Sequence, residues 1–498
     1  MFFVIYSKLC VIYPWAISRT DTFLDEDVSM LFTSMEFLFL YFPVVFLGYF
    51  LLRGKLRNYW LLFTSLVFYA WGEPRFVLAM LASIVINYGA ALAIELLREK
   101  KRVCRGILCV DLAVNLGILF VFKYMNFVTG SLHSMFPQTQ NLFEQTSFVL
   151  PIGISFFTFQ ALSYVVDVYR GIPAQKNPFY VGLYISLFPQ LIAGPIVRYS
   201  DVEKQLTNRS ITFEKIAYGI RRFTLGAGKK ILIANVLGEF CSSFREVDDK
   251  SLVFYWAFAV AVSLQIYFDF SGYSDMAIGL GSILGFHFIE NFNYPFISKS
   301  ITEFWRRWHM SLGTWFRDYV YFPMGGSRCK TGRHIFNLFV VWCLTGFWHG
   351  AEWTFVAWGL YFGVLIIVEK LFLYKKLNSS RVVGHIYSTI ITLFSFIIFD
   401  AATMGEAFQT MGCMLGLGNI PVMSEATAYY LGSYAVMFGI AMIGATPIPK
   451  YLVGKIKEHS VCQKVLDWAE PVVMLVLLMV ITGYLVDGSF NPFLYFRF

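Results

Sequence analysis

Apolar residues run along this chain in long blocks, most of them closed by a short cluster of lysines and arginines. The first blocks occupy 37–52, 59–71, 76–97 and 106–122. Later ones fall at 151–170, 179–198, 252–286, 335–348, 353–373, 382–399, 429–443 and 471–485. A helix needs roughly 20 apolar residues to cross a hydrocarbon layer, and these blocks reach or approach that length. The pattern predicts an all-α polytopic membrane protein with about eleven or more spans.

Three stretches break the pattern. The blocks 151–170 and 179–198 carry Ser155, Thr158, Gln160, Asp167, Pro189, Gln190, Gly194 and Pro195. Irregular, polar backbone is tolerated at membrane depth only where protein or a water-filled cavity surrounds it, so broken or re-entrant segments lining an interior are expected. Residues 212–235 interleave Lys215, Arg221, Arg222, Lys229 and Lys230 with Ile216, Tyr218, Ile220, Phe223 and Leu225. That interleaving reads either as a helix lying at the cytoplasmic interface or as a charged loop. Residues 1–29, with Lys8 inside the apolar part and Asp21, Asp25, Glu26 and Asp27 after it, are expected to be a poorly ordered extension ahead of the native start. The rest, 30–498, reads as a single membrane domain.

Composition agrees: 57% of residues are hydrophobic and 14% charged, with a mean hydropathy of +0.60. A soluble domain cannot hide that much apolar side chain. The net charge of +8 is spread over loops at 53–57, 98–105, 375–381 and 450–457, while 400–428 holds acids and no Lys or Arg. This is the positive-inside bias; it places the basic loops in the cytoplasm, makes lipid the partner and excludes a nucleic-acid footprint. Eight cysteines match neither zinc spacing nor a disulfide framework, so free thiols and no metal site are expected.

Candidate chemistry concentrates in 300–360, where two histidines, several tryptophans and glycine punctuation converge. Ser300 and Glu303 form a capping box, predicting a helix whose aromatic side carries Trp305, Trp308, His309, Leu312, Phe316 and Tyr319. A histidine in that position is either a hydrogen-bonded core residue or a site residue. His349 and Gly350 interrupt an apolar hairpin about 20 Å along its first arm, which places His349 deep in the membrane. Loop charges leave His309 nearer the cytoplasmic interface. An intramembrane histidine is a functional-site hypothesis by default, and a neutral imidazole there can take the proton of a hydroxyl attacking a thioester. No Gly-x-Ser-x-Gly elbow or activated cysteine is evident, so direct acyl transfer is the simpler route. His309, or backbone N–H groups near the glycines, would stabilise the oxyanion. Asp269 and Asp275, inside the block 252–286, would face a cavity or pair with Arg306 or Arg307. A transporter or a non-enzymatic scaffold remains the competing class.

Several strings carry a resemblance: Tyr267 to Gly281 (YFDFSGYSDMAIG), Glu290 to Pro295, Ser300 to His309 (SITEFWRRWH), Pro323 to Gly326, and Phe347-Trp348-His349-Gly350. Pro151 to Phe159, Ala193 to Pro195 and the closing Asn491 to Phe493 and Tyr495 to Phe498 fit as well. From about Met30 onward the chain resembles the membrane-bound O-acyltransferase superfamily, in its bacterial branch typified by the alginate O-acetyltransferase membrane subunit. The resemblance implies a ring of helices around a central funnel or tunnel, with His349 at the catalytic position and His309 at the second polar one. Asp269, Asp275, Asn291, Asn293, Trp305, Trp308 and Trp348 are its tunnel-lining candidates. It implies no bound cofactor but an acyl thioester co-substrate, acetyl-CoA or an acyl carrier, and a polysaccharide acceptor handled with an extracytoplasmic partner of SGNH-hydrolase type. The expected location is the bacterial cytoplasmic membrane. D-alanyl transfer to teichoic acid from a carrier protein is the alternative within the family. The Ser327 to Gly332 loop departs from the family pattern, so no donor contacts are assigned there.

Overall fold

A computed structural model describes residues 30–136 and 148–487. The expected extension at 1–29 and the closing strings at 491–498 lie outside the described residues. Regular structure among those residues is entirely helical. In order the main elements are α1 (Phe37–Leu51), α2 (Leu56–Gly72), α3 (Val77–Leu96), α4 (Lys101–Met135), α5 (Ile154–Tyr169), α6 (Pro178–Ser186) and α7 (Tyr199–Thr207). Next come α8 (Phe213–Gly228), α9 (Asn235–Glu246), α10 (Leu252–Ile283), α11 (Ile301–Trp305), α12 (Met310–Phe316), α13 (Thr331–His349) and α14 (Trp353–Leu377). The chain closes with α15 (Arg381–Asp400), α16 (Met404–Met414), α17 (Glu425–Gly444), α18 (Ile448–Lys457) and α19 (Ser460–Val486).

Seven of the described helices are long and apolar enough to cross a membrane: α3, α4, α10, α14, α15, α17 and α19. The shorter α1 and α5 are also apolar. This is a multi-pass membrane protein, with fewer full-length spans than the block count suggests. The difference lies in segments such as 179–198, which folds as α6, one further turn at Phe188–Leu191 and extended chain, all buried from Tyr180 to Val197. Protein surrounds that irregular backbone, as its prolines and polar residues require.

The centre is α10, 32 residues long, against which α8, α9, α15, α16 and α17 pack. Residues 213–246 take up the stretch read as an interfacial helix or a charged loop, and they are helical rather than a loop. They form an unbroken helix, through a π-helical stretch at Lys229–Ala234, laid closely along α10. Glycines permit the approach: a Cβ on Gly272 would stand 2.7 Å from the Gly226 carbonyl oxygen, and one on Gly279 would stand 2.6 Å from that of Gly219. The basic residues of this helix are therefore not all at a water interface. Lys230 is buried against Asp269 at 2.6 Å, and Asp275 takes Lys229 at 2.7 Å and Arg222 at 2.8 Å. The two aspartates thus find their cations on this helix rather than at Arg306 or Arg307. The seven cysteines among the described residues are free thiols.

Candidate active site

The helix expected across 300–319 is broken at its histidine. Ser300 caps α11 by accepting from the Glu303 N–H at 3.1 Å, yet α11 lasts five residues. His309 then adopts the left-handed conformation (φ 43°) that starts α12. A non-glycine residue held there costs of order 1–3 kcal/mol and persists only where its surroundings over-determine it. Here the determinant is Asn291. Its Oδ1 accepts from the Ser311 N–H at 3.3 Å and the Ser311 hydroxyl at 2.9 Å, and lies 3.0 Å from His309 Nδ1. Because the Ser311 amide can only donate, the Asn291 atom is the oxygen, and neutral His309 must carry its proton on Nδ1. The lone pair is left on Nε2, which is buried without a partner.

His349 ends α13, and Gly350 turns the chain into α14. A side chain on Gly350 would strike the Phe355 ring, and a Cβ on Gly346 would come within 2.5 Å of the Phe355 carbonyl oxygen, so the two arms meet as closely as backbone allows. The His349 ring packs against Trp358 at 4.9 Å, Trp348 at 5.0 Å and Phe399 at 5.6 Å between centroids. Both its nitrogens are buried without partners. The rings of His309 and His349 stand 6.4 Å apart. Loop charges separated the two in depth; the structure sets them side by side, because the break at His309 turns its ring inward.

Lys123 was missed by the sequence reading, which ended its helix at 122. The helix continues through a π-helical turn, Phe120–Tyr124, and Lys123 is buried. Its Nζ donates to the Trp348 carbonyl at 2.6 Å, to Ser155 Oγ at 3.2 Å and, more weakly, to the His349 carbonyl at 3.4 Å. The Tyr124 hydroxyl donates to the Phe347 carbonyl at 2.6 Å. Three consecutive carbonyls at the C-terminus of α13, which have no intrahelical donors, are thus held from α4. A lone lysine inside an apolar run was the available signal.

Two cavities come near the histidines. One, of about 540 Å³, is walled by Trp305, Arg306, Arg317, His334 and Lys370, with no carboxylate in its lining, and extends to Thr345, one turn before His349, and to Leu312 and Gly313, one turn after His309. His334 lies 2.8 Å from the Tyr321 hydroxyl and 2.9 Å from Lys370 Nζ in that wall. The other, of about 80 Å³, is lined by Lys123, Ser155, Trp348 and His349. A third and larger cavity takes in Asp275, Asn291 and Asn293. Trp308 and Asp269 line none of the three: Trp308 is packed among Phe292, Phe304 and Phe396, and Asp269 is sequestered with Lys230.

Residues 115–399 match the model of the membrane-bound O-acyltransferase family. The chain belongs to that family. Three relatives bear on what this O-acyltransferase does. The probable alginate O-acetylase AlgI of Azotobacter vinelandii is 37% identical over 94% of this chain and 100% of its own length. The peptidoglycan O-acetyltransferase of Helicobacter pylori is 31% identical over 94% of this chain and 98% of its own. The teichoic acid D-alanyltransferase of Bacillus subtilis is 32% identical over 50% of this chain and 67% of its own.

Proposed function

We propose that this acyltransferase takes acetyl from a thioester on the cytoplasmic side of a bacterial cytoplasmic membrane and delivers it toward hydroxyls of a polysaccharide outside. The observation that carries the reading is that His349 lines one small cavity, while a second cavity of different character ends at Thr345, one turn before it. The carboxylate-free cavity with Arg306, Arg317, His334 and Lys370 suits the phosphates of acetyl-CoA or of a phosphopantetheine carrier, with the thioester directed toward Thr345. No bound cofactor is required. The small cavity beyond, beside Lys123 and Ser155, holds a few water-sized groups and is too small for a sugar ring. Its size favours a hydroxyl or acetyl handed to a separate extracytoplasmic partner, of the SGNH-hydrolase type that the resemblance implies.

In this mechanism the His349 imidazole removes the proton as the acceptor hydroxyl attacks the thioester carbon. The C–S bond then breaks, and the imidazolium returns the proton to the departing thiolate. Neutral His309, with its proton engaged by Asn291, presents an acceptor rather than a donor. It therefore assists the proton transfer and does not stabilise the oxyanion. The named activities of the Azotobacter and Helicobacter relatives support acetyl and a polysaccharide acceptor. D-alanyl transfer is the weaker reading, since its ammonium would have to pass the cations of the larger cavity and then Lys123.

The test is thiol release from acetyl-CoA together with acetylation of the polymer, using the purified protein with its partner and acceptor. His349→Ala should abolish both at unchanged protein level. Full activity in that variant would sink the mechanism.

A further inference from the structure

The cavity of about 1060 Å³ holds neither histidine, although Asn291, which supports His309, stands in its inner wall. It opens between the central pair α8 and α10 and the C-terminal helices α17 and α19. Both of these are membrane-crossing by length and composition, and only 17% and 6% of their apolar windows are buried. Helix α19 packs on α8 and α18, and α17 on α9, α10 and α18, which leaves a cleft between α17 and α19. The outer walls are apolar: Met437 and Ile440 on one side, Leu477 and Val480 on the other. Two features then argue against a merely greasy gap.

First, the lining is cationic, with Arg221, Arg222, Lys229 and Lys450 against Asp275 and Glu290. Asp275 and Glu290 are already engaged by Arg222 and Lys229, and Arg221 is tied to Glu470 at 2.8 Å. Lys450 makes no ion pair among the described residues and is exposed. Second, the inner wall holds polar atoms that are buried without partners: Ser271 Oγ, Ser274 Oγ and Asn291 Nδ2. These residues are 2%, 2% and 1% exposed, and such groups rarely stay unsatisfied.

We propose that this cleft is a binding site for one anionic glycerophospholipid. Its phosphate meets Lys450, which makes no ion pair among the described residues. Its glycerol and ester oxygens face the serines and the Asn291 amide, and its acyl chains leave between Met437 and Ile440 on one side and Leu477 and Val480 on the other. A zwitterionic lipid would satisfy the apolar walls but not the surplus of positive charge. The site is independent of the acyl-transfer reading, because binding is measured without turnover.

The experiment uses the full chain in nanodiscs of phosphatidylcholine containing graded phosphatidylglycerol, with retained lipid counted by native mass spectrometry after transfer to detergent. Wild-type protein should keep one phosphatidylglycerol in preference to phosphatidylcholine. Lys450→Gln removes one exposed, unpaired charge and should raise the half-saturating phosphatidylglycerol fraction roughly fivefold. Ile440→Trp, at a half-exposed position, should fill the cleft and abolish retention while the melting temperature holds. Lys464→Gln, exposed and outside the cavity lining, should change nothing. Equal retention of the two lipids would overturn the proposal. So would retention unaltered by Ile440→Trp, or a wild-type mass showing a second copy in place of lipid.

Discussion

Asn291→Ala tests the histidine arrangement at its support. The substitution removes one oxygen that accepts from three donors: His309 Nδ1–H, the Ser311 amide and the Ser311 hydroxyl. The hydroxyl can rotate toward another acceptor; the two N–H groups cannot. A stranded buried donor costs about 1–3 kcal/mol. If only the share belonging to His309 is expressed in the transition state, through loss of the Nδ1–H tautomer and of ring orientation, kcat should fall roughly 5- to 150-fold. The share belonging to Ser311 should appear separately as a lowered melting temperature. The assay is single-turnover thiol release per folded protein, with folding checked by thermal melting in detergent. Asn291→Asp keeps an acceptor oxygen in place and should retain most of the tautomer control, so its rate should lie between those of wild type and the alanine variant. A folded Asn291→Ala protein with wild-type kcat would refute the claim that Asn291 sets the state of His309.

Lys123→Met should leave the Trp348 and His349 carbonyls without their donor, at a cost of about 1–3 kcal/mol in stability, and should slow acyl transfer by loosening the end of α13; thermal melting and turnover read the two effects. Lys370→Gln should raise KM for a CoA thioester while leaving kcat within about twofold, and should weaken the salt dependence of kcat/KM. Asp269→Asn should destabilise by about 3–5 kcal/mol, because Lys230 would remain buried without its anion. Combining it with Lys230→Met should recover much of that loss, as read by a double-mutant cycle of melting temperatures.

Period and charge made the membrane architecture and the hairpin apex at His349 legible in the sequence, since those depend on local composition. What stayed hidden depended on partners remote in the chain. The break at His309 is imposed by Asn291, 18 residues earlier, whose oxygen outweighs the helical preference of the stretch. Lys123 acts on carbonyls more than 200 residues away and was hidden because the apolar run seemed to end at it. The pattern at 212–235 was legible as a helix, but its close seating on α10 was not, because the glycines that permit it only matter once α10 is beside them. Asp269 and Asp275 were rightly read as needing a partner, but sequence distance made the arginines at 306 and 307 the obvious choice.

The aromatic packing around His349 has a consequence for the membrane itself. Trp348, Trp358 and Phe399 close on the His349 imidazole, which lines the small cavity, while the basic cavity ends at Thr345 one turn away. Moving a full elementary charge across the membrane field involves about 2.3 kcal/mol per 100 mV. On the proposed mechanism a neutral acetyl group crosses that field without electrical work, while the proton of the acceptor hydroxyl leaves on the cytoplasmic thiol and so moves inward with each transfer.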